Sequence, residues 1–211
     1  MNMAILVPKS APAAAGPVTA PFDANYVPYA ATGTISLDTA TKHSGAASVK
    51  GTGTGFGLSR TINFPATGTW TSDRWVRFTN ITTNAGRFTL CLMADQGGAG
   101  HLVYVQWINY TDPTKNGITW ESISRPYSVV TQSSFTIGAW YRVRIVIPDV
   151  TSNRYSVYVY NASGTLMGST TSATTLTTGL TFANRAVTEN IQYYNTESSA
   201  ALWVDDLTAD Y

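Results

Sequence analysis

From residue 22 onward, short runs in which apolar and polar side chains alternate are separated by clusters of Gly, Asn, Asp and Pro. The clearest lie in "AWYRVRIVIPDVTSNRYSVYVYNASGTLMGST". Tyr141, Val143, Ile145 and Ile147 alternate with Arg142, Arg144 and Val146; Tyr155, Val157 and Val159 alternate with Arg154, Ser156, Tyr158 and Tyr160. Successive side chains of a strand point to opposite faces, so a period of two marks a strand with one buried face. "PDVTSN" supplies the turn between these two, "NASG" supplies the next with Gly164 free to take a positive φ, and "TLMGSTT" continues as a third strand. An antiparallel meander is predicted. Further strands are expected at "SVKGTG", "GLSRTINF", "DRWVRFTNI", "RFTLCLMA", "LVYVQWINY", "ITWESIS", "ENIQYYN" and "ALWVDDLTADY". No window sustains the three-and-four spacing of an amphipathic helix, and many short strands with frequent turns predict a sandwich or barrel.

The first 21 residues differ. Prolines at 8, 12, 17 and 21 with Ala and Gly between them favour an extended arm over a packed element. The expected division is an arm over 1–21 and one β domain over 22–211, a size that suits a single core. Charged residues make up 12% of the chain, against about 25% in an average domain. The 13 basic and 12 acidic residues form no run of either sign and leave a net charge of +1. That balance argues against nucleic acid and anionic membrane as partners. The apolar run Ala4 to Val7 stops at Pro8, short of a signal-peptide core or a membrane span, so no insertion is expected. One cysteine, Cys91, excludes an intrachain disulfide and fits a buried strand position. His43 and His101 show no metal-ligand spacing.

"HSGAASVKG", His43 to Gly51, sets a histidine beside a serine. A Ser-His-acid hydrolase needs the serine within reach of the histidine and an acid to orient the ring. Neighbours in a strand point apart, so the pair reads as a polar turn ended by Gly45, after which Ala47 and Val49 face the core and Ser48 and Lys50 face out. Retaining glycoside hydrolysis needs two carboxylates about 5 Å apart. Glu121, Glu189 and Glu197 form no such local pattern. Sugar binding rests on aromatic faces flanked by amides and carboxylates. The richest stretch runs from "YVQWINYTD" to "NGITWESISRPY": Tyr104, Gln106 and Tyr110 share one strand face, Trp107 lies on the other, and Trp120, Glu121 and Tyr127 follow. The competing role for any of these aromatics is core filling.

"HSGAASVKG", "DRWVRF", "GAWYRVRIVIPDVTSNRYSVYVYNASGTLMGS" and "LWVDDLTADY" together resemble the concanavalin A-like, or laminin-G-like, jelly-roll superfamily and its carbohydrate-binding modules, over about residues 22 to 211. The resemblance implies an all-β, two-sheet antiparallel jelly-roll sandwich carrying the Pro/Ala-rich arm. It implies that Asp205 and Asp206, with Asp23 and Asn25 on the early side, could hold a structural calcium, an ion that takes about six to eight oxygens. The other reading of the pair is a hydrogen-bonded strand end. Alternation after Leu202 and Val204 turns Asp206 to their face and Asp205 to that of Trp203. The acidic strand motifs of the superfamily's endoglycanases, and the arginine, glutamine-histidine and tyrosine motifs of its alginate lyases, do not occur, so a non-enzymatic protein is expected. The chain is also similar to tail and other virion proteins of phages that infect actinobacteria. That implies a virion component made in the host cytoplasm, with other virion proteins or further copies of itself as partners through the arm, and host polysaccharide as a ligand. The alternative is an extracellular carbohydrate-binding module associated with polysaccharide degradation.

Overall fold

The computed structural model describes residues 18–20, 29–79, 86–109, 117–122, 125–175, 177, 179–194 and 200–210. The strands are β1 (Val18–Ala20), β2 (Ala30–Asp38), β3 (Ser48–Asn63), β4 (Trp70–Phe78), β5 (Gly86–Asp95), β6 (His101–Asn109), β7 (Gly117–Ser122), β8 (Arg125–Thr131), β9 (Tyr141–Ile147), β10 (Arg154–Asn161), β11 (Leu166–Thr174), β12 (Ala186–Tyr194) and β13 (Ala201–Asp210). Helical structure among the described residues is one 3-10 turn, Gln132–Ser134. All pairings are antiparallel in the order β11-β10-β9-β4-β13-β3-β12-β5-β6-β7-β8, with β1 on β13 and β2 on β3.

This one ladder becomes two layers at β3. Its first part, Val49 to Thr52, pairs with β13, and its second, from Gly55 to Asn63, pairs with β12. "SVKGTG" and "GLSRTINF", expected as separate strands, are therefore one bent strand. Strand β2 follows the bend, and its register slips between Gly33 and Thr34. Gly33 has φ +74°, and a Cβ there would lie 2.1 Å from the Gly55 carbonyl oxygen, so only glycine fits this corner. We call β11, β10, β9, β4 and β13 the first layer, and β12, β5, β6, β7 and β8 the second.

The inward residues of each layer meet in a shared core. Phe78 of β4 stacks on Trp107 of β6 with ring centroids 4.4 Å apart, and Tyr155 of β10 meets the edge of Trp120 of β7. The meander behaves as its alternation predicts: Tyr141, Val143, Ile145 and Ile147 are buried, and Arg142, Arg144 and Val146 are less so. At the open side, β8 comes against β11. Gly168 permits it, because a Cβ there would lie 2.5 Å from the Val129 carbonyl oxygen. The two outermost strands thus shield each other's edges. Of the expected arm, residues 1–17 and 21 lie outside the described residues. Val18–Ala20 instead extend the sheet, Val18 opposite Ala209 and Ala20 opposite Leu207.

Candidate functional site

The aromatic and amide residues singled out from the sequence lie on β6 and β7, in the middle of the second layer. Tyr104 and Gln106 are on its outer face. Trp107 points inward and is fully buried, stacked on Phe78 and edge-on to Phe135. The expectation that Trp107 meets a ligand is corrected: its ring completes the core and presents no free face. Trp120 also packs against the core, partly buried. Tyr110 and the side chains of Glu121 and Tyr127 lie outside the described residues.

Register assembles a polar row across the outer face of this layer. Gln192 of β12 stands opposite Thr89 of β5, Thr89 opposite Gln106 of β6, and Gln106 opposite Thr119 of β7. Antiparallel partners point to the same face, so the four side chains line up at the spacing between strands. Thr89, Gln106 and Thr119 are buried, whereas Gln192 is partly exposed. Beside this row stand Asn190, Leu92 and Tyr104, also in register, and the Arg87 guanidinium lies over the Tyr104 ring at 5.9 Å. Of these polar side chains Gln192, Asn190 and Tyr104 are partly exposed, and their amides and hydroxyl both donate and accept, which suits a ligand rich in hydroxyl groups.

The carboxylates serve other ends. Glu189 of β12 points into the core with no exposure. Its Oε1 accepts from Arg74 Nη2 at 2.7 Å, and its Oε2 accepts from Arg60 Nε at 2.5 Å and from the Tyr29 hydroxyl at 2.9 Å. Burial alone would raise its pKa, but the two guanidiniums outweigh burial and hold it at about 2. Arg74 also donates to the Leu90 carbonyl and the Ser72 hydroxyl, and Arg60 lies over the Tyr29 ring. Burial pushes the neighbouring Cys91 thiol up to about 12. Asp73 is held by Arg142 and Arg144; Asp38, Asp95 and Asp149 cap turns.

Asp205 and Asp206 sit in a bulge of β13, where the register with β4 slips between Asp205 and Thr208. Asp206 has φ +46°. Leu202 and Val204 face the core before the bulge, and Leu207 and Ala209 face it afterwards. An inserted residue inverts the phase of a strand. Alternation set Asp205 on the face of Trp203, where it stands opposite Trp75 and is buried, and turned Asp206 toward the core, where the bulge does not leave it. Asp205 Oδ2 accepts the backbone N–H groups of His43 (2.8 Å) and Ser44 (3.2 Å), and its Oδ1 accepts that of Asp206. The Asp206 carboxylate accepts from His43 Nδ1 at 2.6 Å and from the Ser44 hydroxyl at 2.5 Å. His43 stacks on Trp75 with centroids 3.7 Å apart.

Histidine and serine thus address the same carboxylate, and the imidazole is not placed to take the serine proton. Gly45, at φ +58°, makes the turn, and Ala47 and Val49 enter the core. Ser48, expected to face out, is buried and donates to the Thr41 carbonyl. Each oxygen of the Asp205–Asp206 pair meets a donor, the arrangement of a hydrogen-bonded strand end. Asp23 and Asn25 lie outside the described residues, and no cluster of three or more His, Cys, Asp or Glu gathers for a metal among those described. The first layer also carries an outer face that the sequence reading passed over: Trp75, Arg142 and Tyr160 in one row, Asp73, Arg144 and Tyr158 in the next. The signal was present as the polar phase of strands identified by their apolar phase.

No protein-family model and no curated protein matches the sequence. Among solved structures, the cellulose-induced protein Cip1 is similar over 91% of this chain and 96% of its own, with 15% identity and a TM-score of 0.60. Peanut lectin with a nine-residue peptide is similar over 92% of this chain and 98% of its own, with 11% identity and a TM-score of 0.58. A carbohydrate esterase from the Shiga toxin-encoding bacteriophage phi24B is similar over 86% and 88%, with 11% identity and a TM-score of 0.57. One architecture therefore serves a lectin and an enzyme, and at these identities the likeness is one of fold. With its bent β3, its two antiparallel layers and these neighbours, the chain has the concanavalin A-like jelly-roll fold.

Proposed function

We propose that this chain is a non-enzymatic protein that binds a glycan on the outer face of its second layer. The observation that carries the reading is the partly exposed group Gln192, Asn190 and Tyr104, which stands in register beside the buried Thr89, Gln106 and Thr119. The buried members hold the row rigid, and the partly exposed Gln192, Asn190 and Tyr104 offer amides and an aromatic face to the sugar. A non-enzymatic role is supported by the carboxylates whose side chains are described, since Asp38, Asp73, Asp95, Asp149, Glu189, Asp205 and Asp206 are each engaged by a structural partner. An acid held at about 2 between two arginines, as Glu189 is, does not exchange protons near neutral pH.

In this reading the protein works on the surface of a phage virion, where a weakly charged exterior and host glycans as ligands suit a particle component. A fold neighbour from a bacteriophage supports that setting. A glycan microarray followed by calorimetry tests the binding. Saturable affinity is expected, weakened about tenfold or more by Tyr104→Ala or Gln192→Ala with melting unchanged, in line with loss of a stacking face or a hydrogen bond. No affinity across the array would sink the proposal. Mass spectrometry of purified virions of the source phage tests the location, and absence of the chain there would favour a secreted binding module.

A further inference from the structure

The outer face of the first layer holds a group of side chains that the proposed glycan row does not use. Register places Trp75, Arg142 and Tyr160 side by side across β4, β9 and β10, and Asp73, Arg144 and Tyr158 beside them. Asp73 is shared by both arginines: Arg142 Nε donates at 2.7 Å, and Arg144 donates through Nε at 3.0 Å and Nη2 at 2.9 Å. Within this group one carboxylate is shared by two guanidiniums; the next carboxylate, Asp206, is bound to the His43 ring that stacks on Trp75.

The two arginines are held differently. Arg144 grips Asp73 with two nitrogens, whereas Arg142 uses only Nε, so its paired Nη groups make no hydrogen bond among the described residues. The Arg142 side chain is 32% exposed, and its guanidinium lies over the Tyr160 ring at 5.5 Å. Asp73 on one edge and Tyr160 beneath fix the plane of the fork before any ligand arrives, which lowers the entropy lost on binding. A planar pair of N–H donors is the partner of a carboxylate. Around it lie aromatic rings: Tyr158 and Tyr160 on one side, and on the other Trp75, one face of which is covered by His43, with Trp140 at the imidazole's edge and the imidazole tied to the Asp206 carboxylate. A bare anion would need only the charge. A sugar acid uses both the fork and the aromatic border.

We propose that this face is a second binding site, for an acidic polysaccharide: a uronate carboxylate sits on the Nη pair of Arg142, and its pyranose ring rests beside Tyr158 and Tyr160. The site shares no residue with the row on the second layer and stands or falls apart from it. Calorimetry of the full chain with oligogalacturonate, at low and high salt, tests it. Saturable binding is expected, weaker in high salt and reduced about tenfold or more by Arg142→Ala, the range of a hydrogen-bonded charge. Arg142→Lys restores only part, because an ammonium keeps the charge and loses the fork. Tyr104→Ala and Gln192→Ala leave this affinity unchanged. Absence of saturable binding overturns the proposal, as does affinity that survives Arg142→Ala in folded protein, or affinity lost with Tyr104→Ala instead.

Discussion

Glu189 shows what a single residue does here. It is an acid in phase with Val187, Ile191 and Tyr193, and the arginines that meet it are likewise in phase with core residues, Arg60 with Leu58 and Ile62, and Arg74 with Trp70 and Val76. That phase was legible: a charged residue on the apolar face of a strand must find a buried partner. Which charges pair was not, because Arg74 and Glu189 come from opposite layers, 115 positions apart. Glu189→Gln leaves two guanidiniums without their counter-charge, and we expect a loss of about 3–5 kcal/mol in urea unfolding at neutral pH. The same group sets an acid dependence. Its carboxyl is held at about 2 against an ordinary 4.5, so its contribution, on the order of 3 kcal/mol, is complete above the ordinary value and is lost as pH falls toward 2. Asp205, whose carboxyl burial pushes up, works in the opposite sense. Asp38, Asp73 and Asp95 are also held low, so urea midpoints should fall between pH 5 and pH 3 in both proteins but less steeply in Glu189→Gln; equal slopes would refute the assignment.

At the scale of elements, the bulge in β13 and the turn before β3 form one unit. Asp206 ties down both His43 and Ser44 from a left-handed backbone conformation that asparagine tolerates well and alanine does not. Asp206→Ala is expected to cost about 2 kcal/mol or more, from two lost hydrogen bonds and the strained φ. Asp206→Asn should cost less. Thermal melting gives the order, and limited proteolysis should cut the 39–47 turn first in the alanine variant; an unchanged digestion pattern would mean that the turn holds without the clamp. A strict period-two reading put Asp205 on the face of Trp203 correctly but turned Asp206 to the core, because it cannot register an inserted residue. For β6 the same reading separated Tyr104 and Gln106 from Trp107 correctly. It could not tell which face would be covered, since that depends on Phe78 arriving from the other layer.

For the molecule as a whole, closure of the two layers depends on the seam between β8 and β11. Gly168→Ala puts a methyl group 2.5 Å from the Val129 carbonyl oxygen and 2.8 Å from Val130 Cγ2. Neither contact is tolerable without moving a strand, so the expected cost is about 1–3 kcal/mol, with faster amide exchange confined to β8 and β11. Exchange that rose evenly across the sheet would show that the seam is not a separate unit. By itself, the sequence determined the all-β class, the positions of most strands and the two faces of the meander, because alternation and turn chemistry act between neighbours in the chain. Strands β1, β2 and β8 escaped it, and β2 shows why: with Ala30 to Thr34 exposed it lacks an apolar phase to read. Only the tertiary structure decided the strand order, the burial of Trp107, the partners of Glu189 and the joining of His43 and Ser44 to Asp205 and Asp206. Those depend on contacts between residues as far apart as Val18 and Ala209, which packing selects and local pattern does not encode.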